Sequence, residues 1–443
     1  MAMMSQRIHF IGIGGIGMSA LSRLYKAGGV RVSGSDVARS EITDALRQEG
    51  VAVFIGPHRG ANVPSAASAV IYSAAIRPDN PELREARRRG FRVKTYAQEL
   101  GEFSKQFKTI AVAGAHGKST TTALTALALM RGACDPTVIV GTMMKDLGGK
   151  NFRRGRSPWL VIEADEYRAS FLNYSPDIAI ITNIDREHLD FYKNIAAIER
   201  AFLQFLLKIR PGGTAILNRD DHRLRRISAH LGRGRGDIKI IWYSERAAIA
   251  AKIKRIIRIP GRHNVSNACA AYAAARLLGI PGKKIIAAIG AYRGAWRRFQ
   301  DVGRIHGATV IADYAHHPTE IKATLQAARE RFPENRIWCV FQPHHYGRTR
   351  DLFPEFTRAF DACDGLILLD VYEVAGREES RKSDAVNSAA LAEAVSRRGT
   401  PALYLPDPRR LRPFLRQVLG KDDILLMMGA GDIWEMTVRM LKK

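Results

Sequence analysis

The sequence predicts an α/β protein with a Rossmann-like N-terminal domain, a central domain of the P-loop ATPase type, and a Rossmann-like C-terminal domain. Short apolar runs alternate with helical segments along all 443 residues, which is typical of doubly wound parallel sheets. Many of these runs end in glycines or polar side chains, where open α/β sheets bind their ligands. The length exceeds one ordinary domain. We expect domains over residues 1–107, 108–300 and 301–443.

Composition narrows the class of protein. No run of 18 apolar residues is present, so we expect no membrane partner. The four cysteines are far apart and form no CxxC pair, which is typical of reduced thiols in the cytoplasm. The net charge of +26 fits either a nucleic-acid binder or an enzyme that acts on anionic small molecules. Because the basic clusters contain few aromatic residues, we expect no specific nucleic-acid partner.

The first glycine motif follows the apolar strand Arg7–Ile11. Residues 12–17 read GIGGIG, a helix follows, and Asp36 occupies the acidic position expected further along. This GxGxxG pattern is typical of dinucleotide binding. A nucleotide-sugar diphosphate at the same helix start, or a close-packed turn without any ligand, would give the same pattern, so all three interpretations stay open.

The second motif is the one around which the chain is organised. An apolar strand ends at Ala113 and is followed by GAHGKSTTT, residues 114–122, and then by a helix rich in Ala and Leu. Glycines let backbone N–H groups converge on an anion, and the helix start adds its own unpaired N–H groups. Lys118 can then reach the β- and γ-phosphates, and the Ser119 hydroxyl can hold Mg²⁺. Val112 replaces the first glycine of the full phosphate-loop pattern.

Two further strands place polar groups at the same sheet edge. The strand Trp159–Ile162 ends in Glu163, and Ile178–Ile181 is followed by a polar segment that contains His188. Mg²⁺ takes few protein ligands and prefers oxygen. Glu163 and His188 are therefore candidates to complete a Mg²⁺ site with Ser119, although histidine is an unusual ligand for this ion.

The C-terminal third repeats the design. Strands end before Asp313-Tyr-Ala-His316-His317, before Gln342-Pro-His-His345 and before Gly429-Ala-Gly-Asp432. Ahead of them, Gly261-Arg-His-Asn264 opens a helix predicted over Ala268–Leu278. Polar groups at a helix start suit a nucleotide, with an Asn helix cap as the alternative.

In their joint order these motifs resemble the Mur ligases, the ATP-dependent amide-forming enzymes of peptidoglycan synthesis, and within them the L-alanine-adding branch. The landmarks are GIGGIGMS (12–19), YS (72–73), NPE (80–82), GAHGKSTTT (114–122), EADE (163–166), TN (182–183), HLD (188–190), GRHN (261–264), RF (298–299), DYAHHPTE (313–320) and FQPHHYGRTRDLF (341–353). The resemblance implies a cytoplasmic enzyme, monomeric or homodimeric, that uses ATP and Mg²⁺ to join L-alanine to the lactyl carboxylate of UDP-N-acetylmuramate through an acyl phosphate.

The resemblance also implies roles for individual residues. Catalysis would rest on Lys118, Glu163, His188 and Arg298, of which Glu163 and His188 bind metal with Ser119. The ATP contacts would be Gly114, Ala115, His116, Gly117, Lys118, Ser119, Thr120, Asn264, Arg298 and Asp313. The UDP-sugar contacts would be Gly14, Gly15, Ile16, Gly17, Ser35, Asp36 and Ser73. The amino-acid contacts would be His316, His317, His345 and Arg348.

Two positions of the sequence help to decide which branch of the Mur ligases the chain resembles. Most of the wider family has a carbamylated lysine about 15 residues after the metal-binding histidine, where this chain has Phe202-Leu203, as in the L-alanine-adding branch. The family usually has Arg where this chain has His345. The competing hypotheses are a relative that joins a tripeptide to the same sugar and, more remotely, a nicotinamide oxidoreductase or a nucleic-acid-stimulated ATPase.

Overall fold

The computed structural model describes residues 6–372 and 387–442. The chain forms two compact units. The first unit comprises Met1–Asp185, Ala196–Ala247 and Asn267–Ile289, and the second comprises Arg186–Ile195, Ala248–Ser266 and Gly290–Lys443.

The first unit begins with a parallel sheet that has the order β3-β2-β1-β4-β5 within the described residues. Its strands are β1 (Arg7–Ile11), β2 (Arg31–Asp36), β3 (Ala52–Ile55), β4 (Ala69–Tyr72) and β5 (Arg92–Thr95). The helices between and after them are α1 (Ile16–Ala27), α2 (Glu41–Gln48), α3 (Pro81–Arg88) and α4 (Tyr96–Ser104). Four residues of β1 are buried, as expected for the central strand of a sheet covered on both faces.

A second sheet of the first unit has the order β12-β11-β10-β6-β9-β7-β8 over the described part of the chain. Its strands are β6 (Lys108–Ala113), β7 (Thr137–Met144), β8 (Lys150–Arg153), β9 (Trp159–Glu163), β10 (Ile178–Ile181), β11 (Thr214–Asn218) and β12 (Lys239–Tyr243). Only β7 and β8 pair antiparallel among these described strands. The helices α5 (Lys118–Arg131), α6 (Ile195–Leu207) and α7 (His222–Gly234) lie mainly in this unit. Helix α8 (Ala248–Ile256) belongs to the second unit, and α9 (Arg262–Leu277) and α10 (Gly282–Ala291) each have residues in both units.

Helix α1 is joined to the antiparallel pair β7–β8 by a buried amide. Asn151 donates to the Ile16 carbonyl at 2.5 Å and to the Ser19 hydroxyl at 3.0 Å, and it accepts from Arg23 at 2.6 Å. A buried polar side chain with all these partners fixes one geometry. The first glycine motif is therefore anchored to the second sheet.

The second unit contains a sheet in the order β13-β14-β18-β15-β16-β17, counting the described strands. These strands are β13 (Gln300–Ile305), β14 (Ala308–Asp313), β15 (Ile337–Phe341), β16 (Gly365–Leu368), β17 (Ala402–Tyr404) and β18 (Ile424–Met428). The helices are α11 (Pro318–Arg331), α12 (Tyr346–Asp351), α13 (Phe353–Phe356), α14 (Ser388–Ser396), α15 (Leu411–Val418) and α16 (Ile433–Leu441). Apolar clusters on both faces of the sheet include Phe341 and Phe360 on one side and Leu425 and Met427 on the other.

The predicted fold class is confirmed: in the described residues, three α/β sheets follow one another along the chain. The boundaries at 107/108 and 300/301 stay predictions, although β13 already begins at Gln300. One predicted element differs, because α9 begins at Arg262 rather than at Ala268. Its first turn contains the polar residues that were expected to precede the helix. No helix in the described part of the chain is long and apolar enough to cross a membrane.

Candidate active site

The phosphate loop links β6 to α5 at the carboxyl end of a central strand. Gly114 has φ 135° and Gly117 has φ 82°, values that side chains rarely allow. A Cβ atom on Gly114 would lie 1.9 Å from the Thr182 Oγ1, and one on Gly117 would lie 2.4 Å from the Asn267 Oδ1. Conformation and space therefore both require glycine at these two positions.

The end of β10 holds this loop in place. Asn183 accepts the His116 N–H at 2.9 Å and donates to the His116 carbonyl at 3.0 Å. Thr182 donates to the same carbonyl at 2.6 Å, and the His116 ring lies 3.0 Å from Asp185. Helix α5 has no acidic residue in its first turn. Its N-terminal N–H groups and the helix dipole are thus suited to an anion.

Lys118 lies inside the curl of the loop. Its ammonium donates to the carbonyls of Gly114 at 2.7 Å and Ala115 at 3.2 Å, and it pairs with Glu166 at 2.8 Å. Burial alone would lower the pKa of Lys118, but Glu166 and the neighbouring carboxylates Asp165 and Glu163 raise it. Lys118 is consequently held in its charged form, as binding of a phosphate requires.

Ser119 and Glu163 lie together at the sheet edge, as predicted. The Ser119 hydroxyl donates to the Glu163 Oε1 at 3.0 Å, and the Glu163 Oε2 accepts the Gly141 N–H at 2.8 Å. One hydroxyl and one carboxylate beside a phosphate loop form the oxygen-rich donor set that Mg²⁺ prefers. Thr120, the next residue of the helix, is buried. His188 belongs to the second unit, and its part in a metal site stays a prediction.

The first glycine motif is folded against the end of β2. The Gly12 N–H donates to the Ser35 carbonyl at 2.8 Å, and the Gly14 N–H donates to Asp36 at 2.8 Å. Gly15 precedes the first turn of α1 without any capping side chain. A Cβ atom on Gly17 would lie 2.9 Å from the Tyr96 ring. The helix start thus offers N–H groups to an anion.

Ser35 and Ser73 are placed differently with respect to this turn. Ser73 is partly exposed, and its Cβ would lie 3.2 Å from a Cβ atom built on Gly12. The Ser35 hydroxyl is fully buried and donates to Glu82 at 2.6 Å. Any effect of the Ser35 side chain on a ligand at this turn would therefore be indirect.

Glu82 is the centre of a buried polar cluster. His9 and His58 lie 3.0 and 2.9 Å from its two carboxylate oxygens, and Asn62 donates at 2.8 Å. Burial would raise the pKa of Glu82, but the hydrogen bonds from His58, His9 and Ser35 outweigh it and hold that pKa well below the ordinary range. The cluster stabilises the end of β2 on which the glycine turn rests.

In the second unit, Asp313 ends β14 as a buried carboxylate. It accepts the N–H of Phe299 at 2.7 Å and that of Ala315 at 2.8 Å. Burial raises the pKa of Asp313, which nearby Arg298 opposes. The Arg298 guanidinium lies 5.1 Å from the centre of the Tyr314 ring. Both oxygens of Asp313 thus already accept backbone hydrogen bonds.

Asn264 lies in the first turn of α9 and is largely buried. Its amide donates to the Pro260 carbonyl at 2.7 Å, so it holds the chain that enters the helix. Because Asn264 is the third residue of α9 and its side chain donates to a carbonyl, it is not the N-cap of this helix, and its predicted contact with ATP stays a proposal.

Basic and imidazole side chains of the second unit line a cavity of about 170 Å³. The lining residues are Arg186, His188, Leu189, Asp190, His345, Gly347, Arg348, Arg350, Asp351 and Leu352. The predicted amino-acid residues His345 and Arg348 are therefore brought together. Non-glycine residues His188 and His345 have φ values of 55° and 76°. Such strained backbone persists where surrounding structure imposes it, often at functional sites.

The two remaining predicted amino-acid residues lie at the start of α11. His317 caps this helix, and its Nε2 lies 3.1 Å from the Arg186 carbonyl. The His316 Nδ1 lies 3.0 Å from the Tyr314 carbonyl and 3.2 Å from a Glu320 oxygen. Both histidines are thus tied to groups within their own unit.

Arg348 has two partners in its own unit. Its Nη2 donates to Glu187 at 2.5 Å, and its Nη1 lies 3.1 Å from the His344 carbonyl and 3.2 Å from the His344 Nδ1. Burial would raise the pKa of Glu187, but Arg348 and the neighbouring histidines His188 and His317 hold it well below the ordinary range. Because Glu187 and His344 bind different arms of the Arg348 guanidinium, the orientation of the guanidinium is fixed.

Sequence reasoning assigned no role to several residues that the structure joins to the site. They are Glu82, Glu166, Thr182, Asn183, Glu187, Asn267 and His344. All are polar residues, and several belong to motifs such as EADE, residues 163–166. The motifs pointed to several of these residues, but the sequence did not show which side chains they contact.

A phosphate loop at the carboxyl-terminal edge of one mostly parallel sheet, with a further α/β unit that carries a cationic cavity, defines a nucleotide-dependent enzyme of several α/β domains. Three family models match the chain: "Mur ligase family, catalytic domain" over residues 7–108, "Mur ligase middle domain" over 112–275, and "Mur ligase, glutamate ligase domain" over 297–431.

Individual proteins match over nearly their whole length. The UDP-N-acetylmuramate–L-alanine ligase of Desulforamulus reducens is 40% identical and aligns with 99% of this chain and 98% of its own. The enzyme of the same name from Geobacter sp. is 41% identical over 98% and 97% of the two chains. The crystal structure of UDP-N-acetylmuramate-alanine ligase from Thermotoga maritima superposes with a TM-score of 0.80, at 28% identity and 98% coverage of both chains. The chain belongs to the Mur ligase family.

Proposed function

We propose that this protein is an ATP-dependent ligase that joins L-alanine to the lactyl carboxylate of UDP-N-acetylmuramate in the synthesis of peptidoglycan precursors. The observation that carries the proposal is identity of about 40% to ligases of this name over nearly the full chain. This identity supports the activity that the motifs predict and does not favour the tripeptide-adding alternative. The phosphate loop accounts for the use of ATP.

Each substrate has a candidate place. ATP would lie with its phosphates on residues 114–120, and the UDP-sugar diphosphate would lie against Gly14 and Gly15 at the start of α1, on the N–H groups of Ile16 and Gly17. L-Alanine would enter the cavity lined by His345 and Arg348. The contacts of Asn264, Arg298 and Asp313 with the nucleotide, and those of His316 and His317 with the amino acid, belong to the same proposal.

Ser119 and Glu163 fit a Mg²⁺ ion, because a hydroxyl and a carboxylate oxygen lie 3.0 Å apart beside the loop. His188 is the third proposed ligand. When bound, the ion would neutralise phosphate oxygens during transfer. Phe202, at the position of the family's carbamylated lysine, is fully buried and packs edge-on against Phe171 with ring centres 5.2 Å apart. This position therefore contributes packing rather than a charge.

The chemistry proceeds in two steps. The lactyl carboxylate attacks the γ-phosphorus of ATP, the bond to the β-phosphate oxygen breaks, and ADP leaves an acyl phosphate behind. The neutral amine of L-alanine then attacks the acyl carbon, inorganic phosphate leaves, and the nitrogen loses one proton as the amide forms. Lys118 stabilises the charge on the transferring group.

ADP release tests the proposal directly. The purified protein, ATP and Mg²⁺ are incubated with UDP-N-acetylmuramate and, one at a time, L-alanine, glycine, L-serine and the tripeptide. ADP release that requires both the sugar nucleotide and L-alanine, with an amide product by mass spectrometry, is the expected result. Release that depends on the tripeptide alone would refute it.

Calorimetry tests the oxidoreductase hypothesis, and an ATPase assay tests the nucleic-acid-stimulated ATPase. We expect UDP-N-acetylmuramate to bind without ATP and NAD(H) not to bind, because the first glycine turn serves a sugar nucleotide. We also expect DNA not to stimulate ADP release. A cytoplasmic location and a monomeric or homodimeric state complete the proposal, and light scattering tests the latter.

A further inference from the structure

The amino-acid cavity contains an arginine whose orientation is set by groups to which the sequence alone assigned no role. Binding of an α-carboxylate by both oxygens requires the plane of a guanidinium to be fixed relative to the ligand. Arg348 lines the cavity and is 12% exposed. A long side chain without anchors would lose rotamer entropy on each binding event. What anchors Arg348 therefore affects the affinity for the amino acid.

Two anchors act on different arms of the guanidinium. The Nη2 arm donates to Glu187, whose side chain is 6% exposed, and the Nη1 arm contacts His344. The His344 ring is itself stacked on Tyr372, with ring centres 5.8 Å apart. Because the guanidinium is rigid and planar, these contacts at its two Nη atoms determine its orientation.

Glu187 is placed to be the stronger anchor. It supplies the negative charge of this contact, and it also lies 3.8 Å from the His317 Nε2 and 3.9 Å from the His188 Nδ1. His317 accepts the Thr319 N–H through its Nδ1 at 3.3 Å, so its proton lies on Nε2, the nitrogen that faces Glu187 and the Arg186 carbonyl. His188 and His317 therefore hold the Glu187 carboxylate in place.

We propose that Glu187 is a positioning residue for the amino-acid substrate, which orients Arg348 so that its remaining N–H groups can bind the α-carboxylate. The inference rests on the proposed function, because it takes the cavity as the L-alanine site. Glu187 acts through Arg348 and does not itself touch the substrate. Its removal should weaken amino-acid binding while leaving the sites for ATP and UDP-sugar intact.

The test compares KM values for L-alanine in the full-length protein. Glu187→Ala should raise this KM by about tenfold or more, with KM for ATP and for UDP-N-acetylmuramate unchanged. Glu187→Gln keeps a hydrogen-bond acceptor and should give a smaller rise. Glu393→Gln, which removes an exposed carboxylate paired with Arg397 in the same unit, is the matched control and should match the parent.

A double-mutant cycle separates positioning from a general effect on the fold. Because Glu187 acts through Arg348, Glu187→Ala combined with Arg348→Ala should raise the alanine KM no further than Arg348→Ala alone, within about twofold. Thermal unfolding of each variant identifies loss of fold. If Glu187→Ala does not fold, Glu187→Gln and its combination with Arg348→Ala carry the same test.

Three results would overturn the inference. They are an unchanged or lowered alanine KM in the folded Glu187 variants, additive effects in the cycle, or a raised Mg²⁺ requirement with unchanged alanine KM, which would place the action of Glu187 on His188. Absence of alanine-dependent ADP release in the parent protein would instead refute the proposed function. The two failures are therefore distinguishable.

Discussion

Lys118 contributes both to the stability of the fold and to phosphoryl transfer, and Lys118→Met removes both contributions. The ammonium is 13% exposed and pairs with Glu166, which is 2% exposed. Lys118→Met preserves most of the side-chain volume but leaves the Glu166 carboxylate buried beside no lysine charge. Loss of Lys118 is therefore expected to lower the stability of the fold as well as turnover.

The two effects have similar free-energy costs but are seen in different measurements, the unfolding midpoint and the rate of ADP release. Breaking a buried ion pair from one side costs about 3–5 kcal/mol, and because Lys118 is not wholly buried we take about 3 kcal/mol. In a unit of this size each kcal/mol lowers the unfolding midpoint by about 2–4 °C, so we expect a decrease of roughly 6–12 °C. Loss of a charge that stabilises the transferring phosphoryl group costs about 3 kcal/mol, or about a hundredfold in rate.

The double variant Lys118→Met with Glu166→Gln separates the two. It removes both charges, so it should recover most of the thermal stability while its ADP release stays about a hundredfold below the parent. The measurements are circular-dichroism melts and coupled ADP release at saturating substrates. Near-normal turnover of Lys118→Met would remove the phosphate loop from the active site. A double variant as unstable as the single one would refute the ion-pair argument.

Three other changes test separate parts of the molecule. Glu163→Ala should raise the Mg²⁺ concentration needed for half-maximal ADP release more than the alanine KM, and an unchanged Mg²⁺ titration would make Glu163 structural. His345→Arg should lower the alanine KM by about tenfold, because the arginine fork binds both carboxylate oxygens and stays charged, whereas equal KM values in His345→Arg, His345→Ala and the parent would remove His345 from the site. The folded-state pKa of Glu82 lies below its unfolded value, so its stabilisation is present above about pH 5 and is lost as pH falls. The stability difference between the parent and Glu82→Gln, measured by urea unfolding, should therefore narrow from about pH 5 to pH 3, and a constant difference would contradict this.

The sequence alone determined the buried strands. The predicted strands Arg7–Ile11 and Ile178–Ile181 agree with β1 and β10 residue for residue, and the predicted strand ends before Gln342 and Gly429 agree with the ends of β15 and β18. Central parallel strands are covered on both faces and therefore read as mostly apolar runs. Glycine or a polar residue marks the end of each run, so both bounds are visible in the sequence.

Elements with weaker local signals were not predicted. Strand β13 (Gln300–Ile305) is mostly polar and half-exposed, and it pairs antiparallel at the sheet edge. An edge strand with one neighbour buries little apolar surface, so its sequence resembles that of a loop. Helix α9 begins six residues early for a related reason, because polar residues in a first helical turn resemble those of the preceding loop.

The sequence also determined the family, the phosphate loop and the candidate ligands, because glycine spacing and strand-end polar residues are local features. Tertiary structure alone decided which charges meet: Lys118 with Glu166 across 48 residues, and Glu187 with Arg348 across 161 residues. No local periodicity links residues so far apart. Strand order and the path of the loops bring their side chains together, and burial then makes each pairing strong enough to orient the site.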